Sequence, residues 1–190
     1  MQNFEIDLKE SLKVLREGGV ILCPTDTIWG LSCDATNARA VENIFRIKSR
    51  EEGKSLIILV NGEAMLERYV RNIPPVVSEL ISVSDTPITI ICPHGKLLAP
   101  GVCSEDGSVG IRVCNEPFCN ELITRFRKPV VSTSANISGE PAPMIFSEID
   151  EELIKSAGYV VTYRQDDKRK SKPSSVIKIE NSGAFKIIRM

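Results

Sequence analysis

Val130-Val131-Ser132-Thr133-Ser134-Ala135-Asn136-Ile137-Ser138-Gly139 is a short apolar strand that runs straight into three consecutive hydroxyls, an asparagine and a Ser-Gly turn. A segment of this kind leaves a sheet and presents small hydrogen-bonding groups at its mouth, where α/β proteins bind ligands. The expected partner is Lys48-Ser49-Arg50, far upstream, whose two cations would make that mouth an anion site suited to phosphates.

Working outward, the pattern alternates helix and strand early and clusters strands late. Leu8, Leu12 and Leu15 fall at helical spacing, and Gly18-Gly19 ends that helix. Val20–Cys23 reads as a buried strand stopped by Pro24. A helix is predicted from about Ala38, capped by Asn37 and carrying Val41, Ile44 and Phe45 on one face. Leu56–Val60 is an unbroken apolar run and should be a central strand. Helices are predicted near Ala64–Val70, near Val76–Val83 and around Phe118, Leu122, Ile123 and Phe126. Further strands are predicted at Ile88–Cys92, Val109–Val113, Tyr159–Thr162, Ser175–Ile179 and Phe185–Ile188, the last two joined by the turn Asn181-Ser182-Gly183. The expectation is one α/β domain over residues 1–190, a mixed open sheet flanked by helices.

The composition excludes several classes. Lys plus Arg (24) nearly balances Asp plus Glu (25), and aromatic residues make up 5% of the chain, so nothing global advertises nucleic acid. No apolar run approaches the roughly 20 residues that span a bilayer, and no signal peptide is read at the N-terminus, so a cytoplasmic protein is expected. The six cysteines show no C-x-x-C spacing and are read as small buried hydrophobes. The one histidine, His94 in a Pro-His-Gly turn, argues against His-based metal sites and most hydrolytic triads.

Chemistry must therefore rest on positioning and on cationic and hydroxyl donors, as in phosphoryl and nucleotidyl transfer. Pro24-Thr25-Asp26-Thr27-Ile28-Trp29-Gly30-Leu31 offers two threonines after the first strand, either as a ligand loop or as an ordinary strand-to-helix connection. Lys48, Arg50 and Lys54 lie between a helix and the central strand, either as a phosphate clamp or as cations on a solvated helix end. Gly53-Lys54-Ser55 imitates the end of a P-loop but fails as one, because Lys48 stands where the motif needs glycine and the order of helix and strand is reversed. In Ser108-Val109-Gly110-Ile111-Arg112, residues 108, 110 and 112 share one strand face. An arginine in such an apolar run must find an acidic partner, either a side chain or a ligand. The stretch Arg164–Lys172 reads as an exposed charged loop.

Taken in order, Thr25–Leu31, Lys48-x-Arg50, the Lys54-to-Val60 strand, Ser108–Arg112, Ser134-x-Asn136 and Ser174-Ser175-Val176 resemble the YrdC/Sua5 family of L-threonylcarbamoyladenylate synthases. Each motif is weak singly, whereas six ordered elements running from about Gly18 to Arg189 are specific. The resemblance implies a YrdC/RibB-like twisted open sheet with a concave, positively charged face. It implies an ATP-dependent nucleotidyltransferase that makes threonylcarbamoyl-AMP and pyrophosphate from L-threonine, bicarbonate (or CO2) and ATP, with Mg2+ on the ATP phosphates and no metal held by side chains. The product would feed the downstream t6A-transfer machinery for tRNA; direct tRNA contact is left open, and the alternative is a non-catalytic RNA-binding module of the same fold.

Residue by residue, the resemblance implies Lys48 and Arg50 as catalytic. ATP would be bound by these two together with Lys54, Ser108, Ser134, Asn136 and Arg189. Thr27, Arg112 and Ser174 would form the threonine pocket, with Arg112 facing the carboxylate. The chain departs from the family pattern at Trp29, where many members have tyrosine, and in the loop Asp85–Thr89. Pro-Gly after Arg189 is also missing, and the chain reads as a short, single-domain member.

Overall fold

The structure, a computed structural model, describes residues 2–49, 56–180, 182 and 184–190. Arg50 and Lys54, and all of the turn Asn181-Ser182-Gly183 except Ser182, lie outside the described residues. The elements in chain order are α1 (Gln2–Arg16), β1 (Ile21–Cys23), β2 (Gly30–Asp34), α2 (Ala38–Ile47), β3 (Ile57–Val60), α3 (Glu63–Tyr69), α4 (Val76–Val83) and β4 (Ile88–Cys92). They continue with β5 (Val109–Val113), α5 (Pro117–Phe126), β6 (Val130–Ser134), a short 3-10 turn (Phe146–Glu148), α6 (Glu151–Ser156), β7 (Tyr159–Val160), β8 (Ser175–Ile179) and β9 (Phe185–Arg189).

The described strands form one nine-stranded sheet in the order β7-β1-β2-β6-β3-β5-β4-β8-β9. It is mixed, as expected: β3 pairs in parallel with β5 and antiparallel with β6, so the Leu56–Val60 run does supply a central strand. The two faces differ because side chains alternate along each strand. Cross-strand partners Cys33, Val131, Ile58, Ile111 and Ile90 make an apolar row buried in the core. The next row, on the other face, runs through Ile21, Ser32, Ser132, Ile57, Gly110 and Ile91, and its centre is polar or small except at Ile57. Helices α1 and α5 pack on each other, with Phe4 edge-on to Phe118 at 5.5 Å between ring centres.

Local signals behave as their chemistry dictates. Asn37 Oδ1 accepts the Ala40 N–H at 3.2 Å, capping α2, and Ala40, Val41, Ile44 and Phe45 form its buried face. The α1 helix stops where Gly18 takes a φ of +77°, a conformation that glycine adopts without steric cost. All six cysteines are free thiols and all but the half-buried Cys103 are buried; burial pushes Cys23 and Cys92 up to about 12.

Three features differ from the sequence reading. The connection after β1 does not lead into a helix: Gly30–Asp34 forms β2, pairing antiparallel with both β1 and β6. Gly30 is the residue that lets this happen, since a Cβ there would sit 3.0 Å from the Thr133 carbonyl oxygen. α6 was not visible because, of its six residues, Leu153 alone is buried; it is started by the Asp150 carboxylate, which accepts the Glu152 N–H at 2.8 Å. β7 stops at Val160 because buried Asp7 captures the Thr162 and Tyr163 N–H groups at 3.0 and 2.9 Å, along with the Thr162 hydroxyl.

Candidate functional site

A cleft of about 360 Å3 opens on the polar side of the sheet. Segments distant in sequence converge on it: Thr27, Arg112, Ser134, Asn136, Ser174 and Arg189 all contribute to its wall. Strand β6 supplies Ser132, Thr133 and Ser134 as it leaves the sheet, so the hydroxyl run does end at a ligand-sized opening. Trp29 contributes an aromatic ring to the lining and packs behind it against Phe146, ring centres 4.8 Å apart.

Arg112 is carried by β5 and is only 5% exposed. Its Nε lies 3.1 Å from Asp26 Oδ1, so the acidic partner that a buried strand arginine requires is a side chain of the chain itself. Burial raises the Asp26 carboxyl above its ordinary value, and the Arg112 charge beside it pulls the other way. The loop that carries Asp26 is braced from within. Thr25 Oγ1 donates to the Ile28 carbonyl at 2.8 Å, accepts the Thr27 N–H at 3.1 Å and lies 3.0 Å from Thr27 Oγ1. Arg164 adds an outside tie, donating to the Thr25 carbonyl at 3.3 Å.

The far wall is built from the late strands. Ser174 Oγ and Thr89 Oγ1 are hydrogen-bonded at 2.7 Å, and Arg189 donates to the Ser174 carbonyl through Nε and a terminal nitrogen at 3.1 and 2.8 Å. These contacts fix the start of β8 beside β4 and bring the Arg189 side chain to the rim.

Lys48 is near the cleft but does not line it. The residue is 1% exposed, and its ammonium lies 2.6 Å from both the Ser134 and Asn136 carbonyl oxygens and 3.3 Å from Asn136 Oδ1. Its own carbonyl accepts the Ser138 N–H at 3.0 Å. Lys48 therefore moulds the loop that leaves β6. Asn136 closes the same loop from within, donating its amide to the Ile137 and Glu140 carbonyls at 3.1 and 2.7 Å.

Ser108 also stands away from the cleft. Its hydroxyl and N–H donate to Asp106 Oδ1 at 2.5 and 2.9 Å, and Lys178 binds the other carboxylate oxygen at 3.0 Å. The Ser108 hydrogen bonds first, then Lys178, hold the Asp106 carboxyl down to about 2. A carboxyl lowered in the folded state contributes stability above its ordinary value of 3.8 and loses it as pH falls through the folded value. Thermal melting between pH 4 and pH 2 should therefore fall more steeply for the wild type than for Asp106→Asn; equal slopes would remove this account of the acid limb.

Sequence reasoning did not mark Asp26, Trp29, Ile57 or Glu140 as site residues, although all but Asp26 line the cleft and Asp26 pairs with a residue that does. The signal for Asp26 was the buried arginine itself. Among the described residues, no helix is long and apolar enough to cross a membrane, and no group of His, Cys, Asp or Glu is placed to hold a metal ion.

The geometry defines an α/β protein whose open mixed sheet bears a small polar cleft lined by hydroxyls and two arginines among its described residues. Residues 13–190 match the Sua5/YciO/YrdC family model, described as telomere recombination, and the chain belongs to that family. The chain is 34% identical to the threonylcarbamoyl-AMP synthase of Stenotrophomonas maltophilia, over 80% of this chain and 83% of the relative. It is 31% identical to the enzyme of that name from Vibrio campbellii, over 93% and 94% of the two chains. A doubly substituted P. abyssi Sua5 superposes with a TM-score of 0.81 at 25% identity over 94% of this chain; the match spans about half (54%) of the Sua5 chain.

Proposed function

We propose that the protein is a threonylcarbamoyl-AMP synthase. The observation that carries this reading is the convergence of Thr27, Arg112, Ser134, Asn136, Ser174 and Arg189 on one cleft, in a chain whose relatives bear that name. Arg112 would receive the threonine carboxylate, since a guanidinium offers several N–H donors to a planar anion. Thr27 and Ser174 would serve the small polar side chain. Ser134, Asn136 and Arg189 would take the nucleotide, with Arg50 and Lys54 assigned to its phosphates on the sequence alone. Lys48 would act by holding the Ser134–Ser138 loop in shape. Mg2+ enters with ATP, since it commonly keeps water and phosphate oxygens as ligands.

The chemistry balances in two steps. The threonine amine attacks the carbon of bicarbonate or CO2 and loses protons, giving a carbamate; bicarbonate releases water. A carbamate oxygen then attacks the α-phosphorus of ATP, and the bond to the bridging oxygen breaks to release pyrophosphate. Such transfers depend on alignment and on charge stabilisation, which cations and hydrogen-bond donors supply. The adenylate would serve t6A formation on tRNA in the cytoplasm.

Pyrophosphate release should require L-threonine, bicarbonate and ATP together. Omitting any one of them should reduce it to background. Turnover that ignores threonine or bicarbonate would overturn the assignment, as would tight tRNA binding with no nucleotide turnover.

A further inference from the structure

We infer that Asp26 is the residue that positions Arg112 for the carboxylate of the amino-acid substrate, an inference that rests on reading the cleft as a threonine site. Arg112 lines the main cleft, whereas Asp26 lines a separate cavity of about 200 Å3 together with Asp85, Ser84 and Asn115. Their ion pair is thus the partition between two openings. It is tightly enclosed, with side-chain exposures of 5% for Arg112 and 12% for Asp26.

The contact has an uncommon geometry. Asp26 Oδ1 and Arg112 Nε are 3.1 Å apart, yet neither atom completes a hydrogen bond among the described residues, although both are fully covered. The pair is held by charge, off the N–H axis. A guanidinium carries five N–H donors in a rigid plane, and Asp26 approaches it on the Nε side. Fixing the guanidinium at its Nε edge restrains the orientation of its plane.

The loop that carries Asp26 is braced on both sides of it. Asp26 sits between Thr25 and Thr27, whose mutual hydrogen bonds and tie to Ile28 brace the loop, and Thr27 lines the cleft directly. The carboxylate meets the guanidinium directly, with no residue between them. Asp26 is a positioning residue: it acts on the substrate through Arg112. Its charge also limits the appeal of the site to anions at large, because Arg112 is already partly neutralised.

The test measures pyrophosphate-release kinetics and equilibrium affinity for L-threonine and for L-threoninol, which lacks the carboxylate, using the full chain. The wild type should prefer threonine. Loss of one well-aligned charged contact is a factor of about ten or more, so Asp26→Asn should raise KM for threonine by about that factor and shrink its preference over threoninol. KM for ATP should stay within about twofold, and Asp26→Glu, which keeps the charge, should recover part of the preference.

If Asp26→Ala fails to fold, the near-isosteric Asp26→Asn carries the measurement. An unchanged preference in Asp26→Asn, or parallel increases in both KM values, would overturn the inference while leaving the proposed function standing. A wild type that binds threonine no better than threoninol would overturn the threonine reading of the cleft and the inference with it.

Discussion

Lys48→Met should lower stability by about 3 kcal/mol and raise the KM for ATP at least tenfold, because it removes the charged donor around which the β6 exit loop is built. The methionine matches the length of the stem but offers nothing to the two carbonyl oxygens that the ammonium meets at 2.6 Å. Hydrogen bonds to a charged group contribute about 1.5–3 kcal/mol each, while relief of the ammonium's own desolvation returns part of that. The net figure corresponds to a fall of about 6–12 °C in melting temperature for a chain of this size. Thermal denaturation and ATP kinetics check the two halves separately. A lysine acting on phosphates alone would lower kcat and leave melting unchanged, so a wild-type melting temperature with a large loss of kcat would contradict the loop-holding role.

That distinction could not be drawn from the sequence. Lys48 and the Ser134-x-Asn136 segment were legible by residue type as two sides of one anion site, cations facing hydroxyls and amide across a ligand. Among the described residues, however, the ammonium's two shortest contacts are main-chain carbonyls, and every residue has one. A backbone acceptor leaves no trace in a pattern of side chains. The same limit explains why β2 was missed: Gly-Leu-Ser-Cys-Asp carries little strand propensity, and it is drawn into the sheet by β1 on one side and β6 on the other.

Elsewhere, local rules sufficed. Asn37 caps α2 because its side chain reaches an N–H three residues on, a relation contained within the segment itself. Leu56–Val60 reads as a central strand because only a run covered on both faces can be apolar throughout. Strand order is another matter, since β6 lies between β2 and β3, two strands far from it in sequence. For Arg112 the sequence posed the right question, which acid pairs with a buried arginine, but proximity in the fold was needed to answer Asp26.

Arg112→Ala should abolish detectable threonine-dependent turnover and destabilise the fold by about 3–5 kcal/mol at neutral pH, since it strands a buried carboxylate. Asp26 already titrates above its ordinary value because burial outweighs the pull of Arg112; without Arg112 that opposition is gone and the carboxyl rises further. A carboxyl raised in the folded state favours folding when protonated, below its unfolded value of 3.8, and that favour is lost as pH rises through the folded value. The deficit of Arg112→Ala relative to wild type should therefore be smallest in acid and largest near neutrality. Adding Asp26→Asn to Arg112→Ala removes the stranded charge and should recover a substantial part of the stability at neutral pH without restoring threonine turnover. Melting curves across pH for the two single variants and the double variant form a cycle that isolates the pair. A double variant no more stable than Arg112→Ala would mean that packing of the arginine stem, rather than its charge against Asp26, supports this part of the sheet.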